Sequence, residues 1–140
     1  MCARAGRSPL EVAQAFLAAG VQCLQLRAKT WESGAFLEWA AAVQELAAQA
    51  GALVIINDRA DVAAMAGAGG VHVGQDDVPP ADARLVVGPS AVVGLSTHTD
   101  KQLQSGVLEP GPYLATGPRY GTATRQTGYQ ARGLAMVPQA

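Results

Sequence analysis

The sequence predicts an α/β protein built on a parallel sheet, and three observations carry that prediction. Apolar runs of strand length alternate with segments of helical periodicity along most of the 140 residues, the pattern of repeated βα units. The stretch 53–77, LVIINDRADVAAMAGAGGVHVGQDD, reads as strand, helix, strand in one short unit, an economical way to make two parallel neighbours. Polar residues collect where the strands end, at Asn57-Asp58, at Gly74-Gln75-Asp76-Asp77 and at Ser96-Thr97-His98-Thr99. In a (β/α)8 barrel such strand ends build the active site. A doubly wound open sheet is the competing architecture, although no glycine-rich dinucleotide fingerprint and no Walker loop follows any strand.

In chain order, Ser8-Pro9-Leu10-Glu11 has the form of a helix start, with Ser8 as N-cap, Pro9 at the first helical position and Glu11 completing a capping box. Val12, Ala15, Phe16 and Ala19 recur at helical spacing, and Gly20 closes the helix. Val21 to Lys29 alternates with period two, Cys23, Gln25, Arg27 and Lys29 forming one row and Leu24, Leu26 and Ala28 the other. Ser33 can cap a long helix whose stripe is Phe36, Leu37, Ala40, Val43 and Ala47, ended by Gly51. The central unit follows: strand Leu53–Ile56, an Ala-rich helix over 61–68, and a second strand at Val71-His72-Val73. Pro79-Pro80 starts a short helix that stops at Gly88-Pro89. Ala91–Leu95 is a strand, Asp100–Leu108 a helix, Tyr113–Thr116 a fifth strand, and the Gly- and Thr-rich segment 117–128 a loop.

Composition narrows the function. With 49% hydrophobic residues and a net charge of −1, one globular domain is expected. No run of Lys or Arg supplies the basic footprint of a nucleic-acid or anionic-membrane partner, so the expected partners are small molecules. Two cysteines, Cys2 and Cys23, make no disulfide framework, and the opening MCARAGRSPL lacks an apolar signal core, so the cytoplasm is the expected compartment. No apolar run approaches the roughly 18 residues of a membrane span.

The strand-end residues point to anion and cation chemistry. Gln25, Arg27 and Lys29 share one side of a strand. They are either the solvated face of an edge strand or, with Asn57, a pyrophosphate clamp in which Arg forks onto two oxygens and Lys acts as a point charge. Asp58 and Asp77 follow neighbouring parallel strands and so face each other across a small gap. Each alone reads as a helix cap. As a pair they suit Mg²⁺, which takes one or two protein carboxylates and completes its shell with water and phosphate oxygens. Thr122, Ala123, Thr124 and Arg125 lie in a loop after a strand, where hydroxyls and backbone N–H groups hold phosphate. His72, mid-strand, reads as a hydrogen-bonded core histidine; His98, at a strand end beside Ser96, is the more exposed of the two. Trp31, Phe36 and Trp39 read as helix packing, and no Cys/His zinc pattern is present.

These residues carry a resemblance. Gln25-Leu26-Arg27-Ala28-Lys29, Ile56-Asn57-Asp58-Arg59, Val71 to Asp77, Gly94 to Thr99, and Gly117-Pro118 followed by Gly121 to Arg125 occur in the order and at roughly the spacing found in thiamine phosphate synthases. The related thiazole tautomerase-like proteins share that barrel. The resemblance implies a TIM barrel and a transferase of thiamine biosynthesis that joins hydroxymethylpyrimidine pyrophosphate to thiazole phosphate with Mg²⁺, releasing pyrophosphate. It implies that Gln25, Arg27, Lys29, Asn57 and Arg125 hold the pyrimidine pyrophosphate, with Ser96 and Arg125 at the departing group. Asp58 and Asp77 are implied as Mg²⁺ ligands, and Thr122, Ala123 and Thr124 as the thiazole phosphate site. Arg125 stands where the family usually has lysine. Against the family pattern, 1–140 is expected to be a single partial barrel domain of about five parallel strands, without the first strand and the last two. A tautomerase-like enzyme using His98 for proton transfer, or a non-catalytic phosphate-binding or inactive truncated copy, are the alternative readings.

Overall fold

The computed structural model describes residues 6–109, 113–118, 120 and 133. Helices and strands alternate without exception: α1 (Pro9–Ala18), β1 (Cys23–Leu26), α2 (Ser33–Gln49), β2 (Leu53–Asn57), α3 (Ala60–Met65), β3 (Gly70–Val73), α4 (Pro80–Val87), β4 (Val92–Thr97), α5 (Asp100–Leu108) and β5 (Tyr113–Thr116). The five strands are all parallel and lie in the order β1-β2-β3-β4-β5.

That order decides between the two architectures. A doubly wound sheet reverses direction at a switch point, placing helices on both faces. Here every crossover steps the same way, and right-handed crossovers of constant direction put all helices on one side. The sheet is therefore a wall of a barrel. Val54, Ile56, Val71, Val73, Val93 and Leu95 point to the helices and are buried with Phe36, Ala40, Val43 and Ala47 of α2, Val62 and Ala63 of α3, and Ala83 of α4. Each fully buried Val or Ile contributes about 1.5–3 kcal/mol by leaving water. The opposite, concave face carries Gln25, Ile55, Asn57, His72, Gly94, Ser96 and Tyr113, a set fixed by strand alternation and the observed register.

The helix starts follow local chemistry. Ser8 and Glu11 form the expected capping box: Ser8 N–H donates to Glu11 Oε2 at 2.7 Å, and Glu11 N–H to Ser8 Oγ at 3.2 Å. The backbone bond from Ser8, then its hydroxyl, hold the Glu11 carboxyl below its ordinary value. Thr99 and Gln102 build a second capping box on α5 that the sequence reading did not identify. Ser33 differs from expectation. Glu32 occupies the N-cap of α2 with no side-chain cap bond, and Ser33 Oγ instead accepts from Arg59 Nη1 at 3.1 Å.

The expected strand over 21–29 is shorter than its alternation. Gly20, at φ 83°, turns the chain out of α1, and Val21 N–H closes that turn on Phe16 O at 3.0 Å. Arg27 and Lys29 thus follow β1 instead of lying in it. Among the described residues no helix is long and apolar enough to cross a membrane.

Candidate active site

Parallel strands deliver their C-terminal ends to one rim, and the site is assembled there. Asn57, the last residue of β2, is 4% exposed. A buried amide needs partners, and Arg27 supplies one by donating from Nη1 to Asn57 Oδ1 at 2.7 Å. The Arg27 side chain, on an exposed residue just past β1, is thereby oriented across the rim. Gln25 stands two residues earlier on the same row, exposed on β1.

Asp58 follows directly in an unusual conformation, with φ 65°, alone among described non-glycine residues in having a positive φ. Aspartate enters this region more readily than most residues, at a cost on the order of 1–3 kcal/mol. Its N–H still bonds to His72 O at 2.8 Å, extending the β2–β3 ladder by one step, and Arg59 N–H turns back to Asn57 O at 2.8 Å. The carboxylate accepts an ion pair from Lys29 Nζ at 3.0 Å. With more than half of the lysine side chain exposed, the pair adds little stability but fixes where the charges sit.

Asp77 meets Asp58 from the end of β3. Gly74 N–H donates to Asp77 Oδ2 at 2.7 Å, an approach that a side chain at Gly74 would crowd, since a Cβ there would lie 3.0 Å from that oxygen. Burial raises the Asp77 carboxyl above its ordinary value, as does contact with the Asp58 carboxyl, while the Gly74 N–H and the Lys29 charge pull it down. Neither carboxylate caps a helix: the N-caps of α3 and α4 are Arg59 and Pro79, without side-chain cap bonds. Two facing carboxylates, one of them with its proton affinity raised by burial and by the other, form a site that favours a cation. Among the described residues no cluster of three or more His, Cys, Asp or Glu could hold a metal. A two-carboxylate set fits Mg²⁺, which leaves most of its shell to water and phosphate, and does not fit a structural zinc site.

A cavity of about 210 Å³ opens beside Asp58, lined by Ala28, Lys29, Trp31, Phe36, Asn57, Asp58 and Arg59. Trp31 precedes α2 and borders this cavity, tilted against Trp39 with ring centroids 6.4 Å apart. Sequence reasoning assigned it to helix packing; only Phe36 and Trp39 belong to the helix. Arg59 also borders the cavity, but its guanidinium is engaged by Asp61 and Ser33, and that side-chain bond holds the Asp61 carboxyl low.

Ser96, on β4, is fixed from two sides. Gln75 Nε2 donates to its carbonyl at 2.7 Å, and its Oγ lies 2.8 Å from His72 Nε2. His72 is 7% exposed and hydrogen-bonded, as a core histidine should be. His98 Nδ1 lies 2.6 Å from Gly117 O, ahead of the cis Gly117-Pro118 bond. The structure brings Arg27, Lys29, Asn57, Asp58, Asp77 and Ser96 to one rim. Thr122, Ala123, Thr124 and Arg125 lie outside the described residues. Gln75 and Tyr113 were missed by sequence reasoning, because each acts across strands whose order the sequence does not state.

A family model described as thiamine monophosphate synthase matches residues 1–140. A thiamine-phosphate synthase of Laribacter hongkongensis is 41% identical over 128 residues, covering 91% of this chain and 60% of that protein. One of Azorhizobium caulinodans is 42% identical over 130 residues, covering 93% of this chain and 61% of that protein. The chain thus spans about 60% of the length of these relatives. The solved thiamine phosphate pyrophosphorylase of Pyrococcus furiosus superposes with a TM-score of 0.83 at 23% identity, covering 98% of this chain and 67% of that one. That likeness establishes the TIM-barrel-type fold.

Proposed function

This chain belongs to the thiamine monophosphate synthase family, and we propose that it couples hydroxymethylpyrimidine pyrophosphate with thiazole phosphate, giving thiamine phosphate and pyrophosphate. The observation that carries this reading is the facing pair Asp58 and Asp77, set beside the oriented Arg27–Asn57 unit and Lys29 on a single rim. Breaking a carbon–oxygen bond to pyrophosphate leaves concentrated negative charge, which Arg27, Lys29 and a cation held by the two carboxylates would offset.

Asp58 and Asp77 would hold Mg²⁺, which when bound offsets the charge of the phosphate oxygens. Arg27, held by Asn57, presents its remaining donors to the pyrophosphate in a fixed plane. Lys29 is close enough to Asp58 to exchange that partner for a phosphate oxygen when a cation occupies the carboxylates. Gln25 extends the same row. In the proposed assignment Ser96 and Arg125 attend the departing group, and Thr122, Ala123 and Thr124 hold the thiazole phosphate. No general base is needed, because the aminopyrimidine stabilises a positive methylene that the thiazole nitrogen captures. The compartment proposed with this reaction is the cytoplasm, where multiply charged substrates that do not enter hydrocarbon are retained. The relatives described above are both named synthases, and the bond from His98 to Gly117 gives no support to a tautomerase reading.

The test is formation of thiamine phosphate from the two substrates by the purified protein across a Mg²⁺ titration. Asp58→Asn and Asp77→Asn should each lower turnover on the order of 100-fold, as removal of a preorganised charge partner does elsewhere. Full Mg²⁺-dependent turnover in both variants would refute the assignment.

A further inference from the structure

Tyr113, His72 and Ser96 form a chain of contacts on the concave face, and the proposed reaction gives a role to Ser96 alone. His72 Nδ1 lies 2.8 Å from Tyr113 Oη, and His72 Nε2 lies 2.8 Å from Ser96 Oγ. The two rings are tilted, with centroids 5.4 Å apart. Tyr113 is on β5 and His72 on β3, separated by β4, so their backbones stand about 9.5 Å apart. They meet because the residue between them in register is Gly94, aligned with both His72 and Tyr113. A Cβ at Gly94 would come within 2.3 Å of Tyr113 Cζ and 2.5 Å of His72 Nδ1. The glycine opens a saddle over which the tyrosine reaches.

We propose that His72 is a positioning residue for Ser96: Tyr113 O–H donates to Nδ1, which keeps the ring proton on Nε2, and Nε2–H donates to Ser96 Oγ. The serine's own proton is then left to donate to the substrate at the rim. The opposite polarity, in which Ser96 donates to Nε2 and Nδ1–H to Tyr113, would turn serine lone pairs toward an anionic ligand. Burial, then the neighbouring Cys23, raise the tyrosine hydroxyl above its ordinary value, which keeps it protonated and able to donate. Gln75 holds the Ser96 carbonyl, so backbone and hydroxyl are fixed separately. The proton order rests on the anionic substrate proposed above; the contacts do not.

The chain contains two histidines, which makes nitrogen NMR of its ring nitrogens direct, with His98→Gln used for assignment. At neutral pH, without substrate, His72 should carry its proton on Nε2 with Nδ1 as acceptor, and Tyr113→Phe should abolish that fixed tautomer. Tyr113→Phe should also lower kcat about two- to tenfold, the worth of one neutral hydrogen bond, while leaving KM for thiazole phosphate unchanged. An Nδ1–H tautomer or an imidazolium in the parent chain would overturn the proposal, as would His72 shifts indifferent to Tyr113→Phe. If the parent protein shows no turnover, the proposed reaction fails, and the tautomer measurement still decides the hydrogen-bond order. Should Tyr113→Phe not fold, Ser96→Ala serves instead: it should leave the Nε2–H tautomer in place, and a switch to Nδ1–H would show that Ser96 had set the polarity.

Discussion

Gly70→Ala is expected to destabilise the fold, although alanine is the better strand residue. At this position a Cβ would lie 2.2 Å from Val92 O and 2.8 Å from Ile55 Cδ1. The Ile55 methyl can turn aside, but the Val92 oxygen is backbone of the adjoining strand. Restoring an ordinary contact demands roughly 1 Å of separation between β3 and β4, a shift of the overpacking kind that costs about 1–3 kcal/mol. That separation also loosens the Val92 N–H bond to Gly69 O, now 2.8 Å, for another 0.5–1.5 kcal/mol or so. Against this, removing a strand glycine returns about 0.5–1 kcal/mol. The central values leave a net loss of about 2 kcal/mol. With unfolding entropy near 2.1 cal/mol/K per residue, a 140-residue chain should lose roughly 8 °C in Tm. Gly34→Ala is the control of opposite sign: it sits in the first turn of α2 with nothing within 4 Å of its Cβ position, so helix propensity alone should raise Tm by a degree or more. Thermal melts by circular dichroism measure both. A Gly70→Ala melt within 2 °C of the parent, with Gly34→Ala behaving as stated, would show that β3 and β4 are not closely apposed at this point.

Two other outcomes follow from the rim, and a third from the proposed role of Arg125. The raised proton affinity of Asp77 means that its contribution to stability is fully present below about pH 4, the ordinary carboxyl range, and is lost as pH rises through the raised value. The metal-free chain should therefore lose stability from this site on approaching neutrality, and Mg²⁺ should restore it there but not near pH 4; an equal Mg²⁺ effect on Tm at both pH values would count against the pair. Arg27→Ala leaves the buried Asn57 carbonyl without its 2.7 Å partner, so KM for the pyrimidine pyrophosphate should rise about tenfold or more and Tm should fall, the cost of a charged hydrogen bond; unchanged KM would separate Arg27 from the substrate. Arg125→Lys should retain more activity than Arg125→Ala, because charge is restored even where the fork is lost; equal kinetics would remove Arg125 from the site.

Which parts of this site could be read from sequence follows from how each contact is made. Asp58 and Asp77 were legible because parallel strands adjacent in the chain end on one side, and that needs only the period of the βαβ unit. The row Leu24 and Leu26 of β1 was legible from alternation, the stripe of α2 from helical spacing, and the cap at Ser8 from a few residues of local sequence. Arg59 had no role assigned from the sequence, and its guanidinium turns to Asp61 and Ser33, a choice settled by packing against α2. Trp31 does meet Trp39 of α2, as read from sequence, but its second role, bordering the cavity beside Asp58, depends on the turn after β1 and left no local signal.

The Tyr113–His72–Ser96 chain was out of reach for a different reason. It spans three strands, and its logic resides in a glycine that touches nothing chemically. From sequence, Gly94 is a weak residue inside an apolar strand, and His72 a polar residue inside another. Only once β4 is placed between β3 and β5, in the register that sets Gly94 beside both rings, does the missing side chain become the means by which tyrosine and histidine meet. Strand order is a consequence of long-range packing, and a single sequence carries local periodicities far more clearly than it carries the neighbours those periodicities acquire. Where the site depends on position along a strand, the residues announce it; where it depends on which strand lies alongside, the barrel has to close far enough to show it.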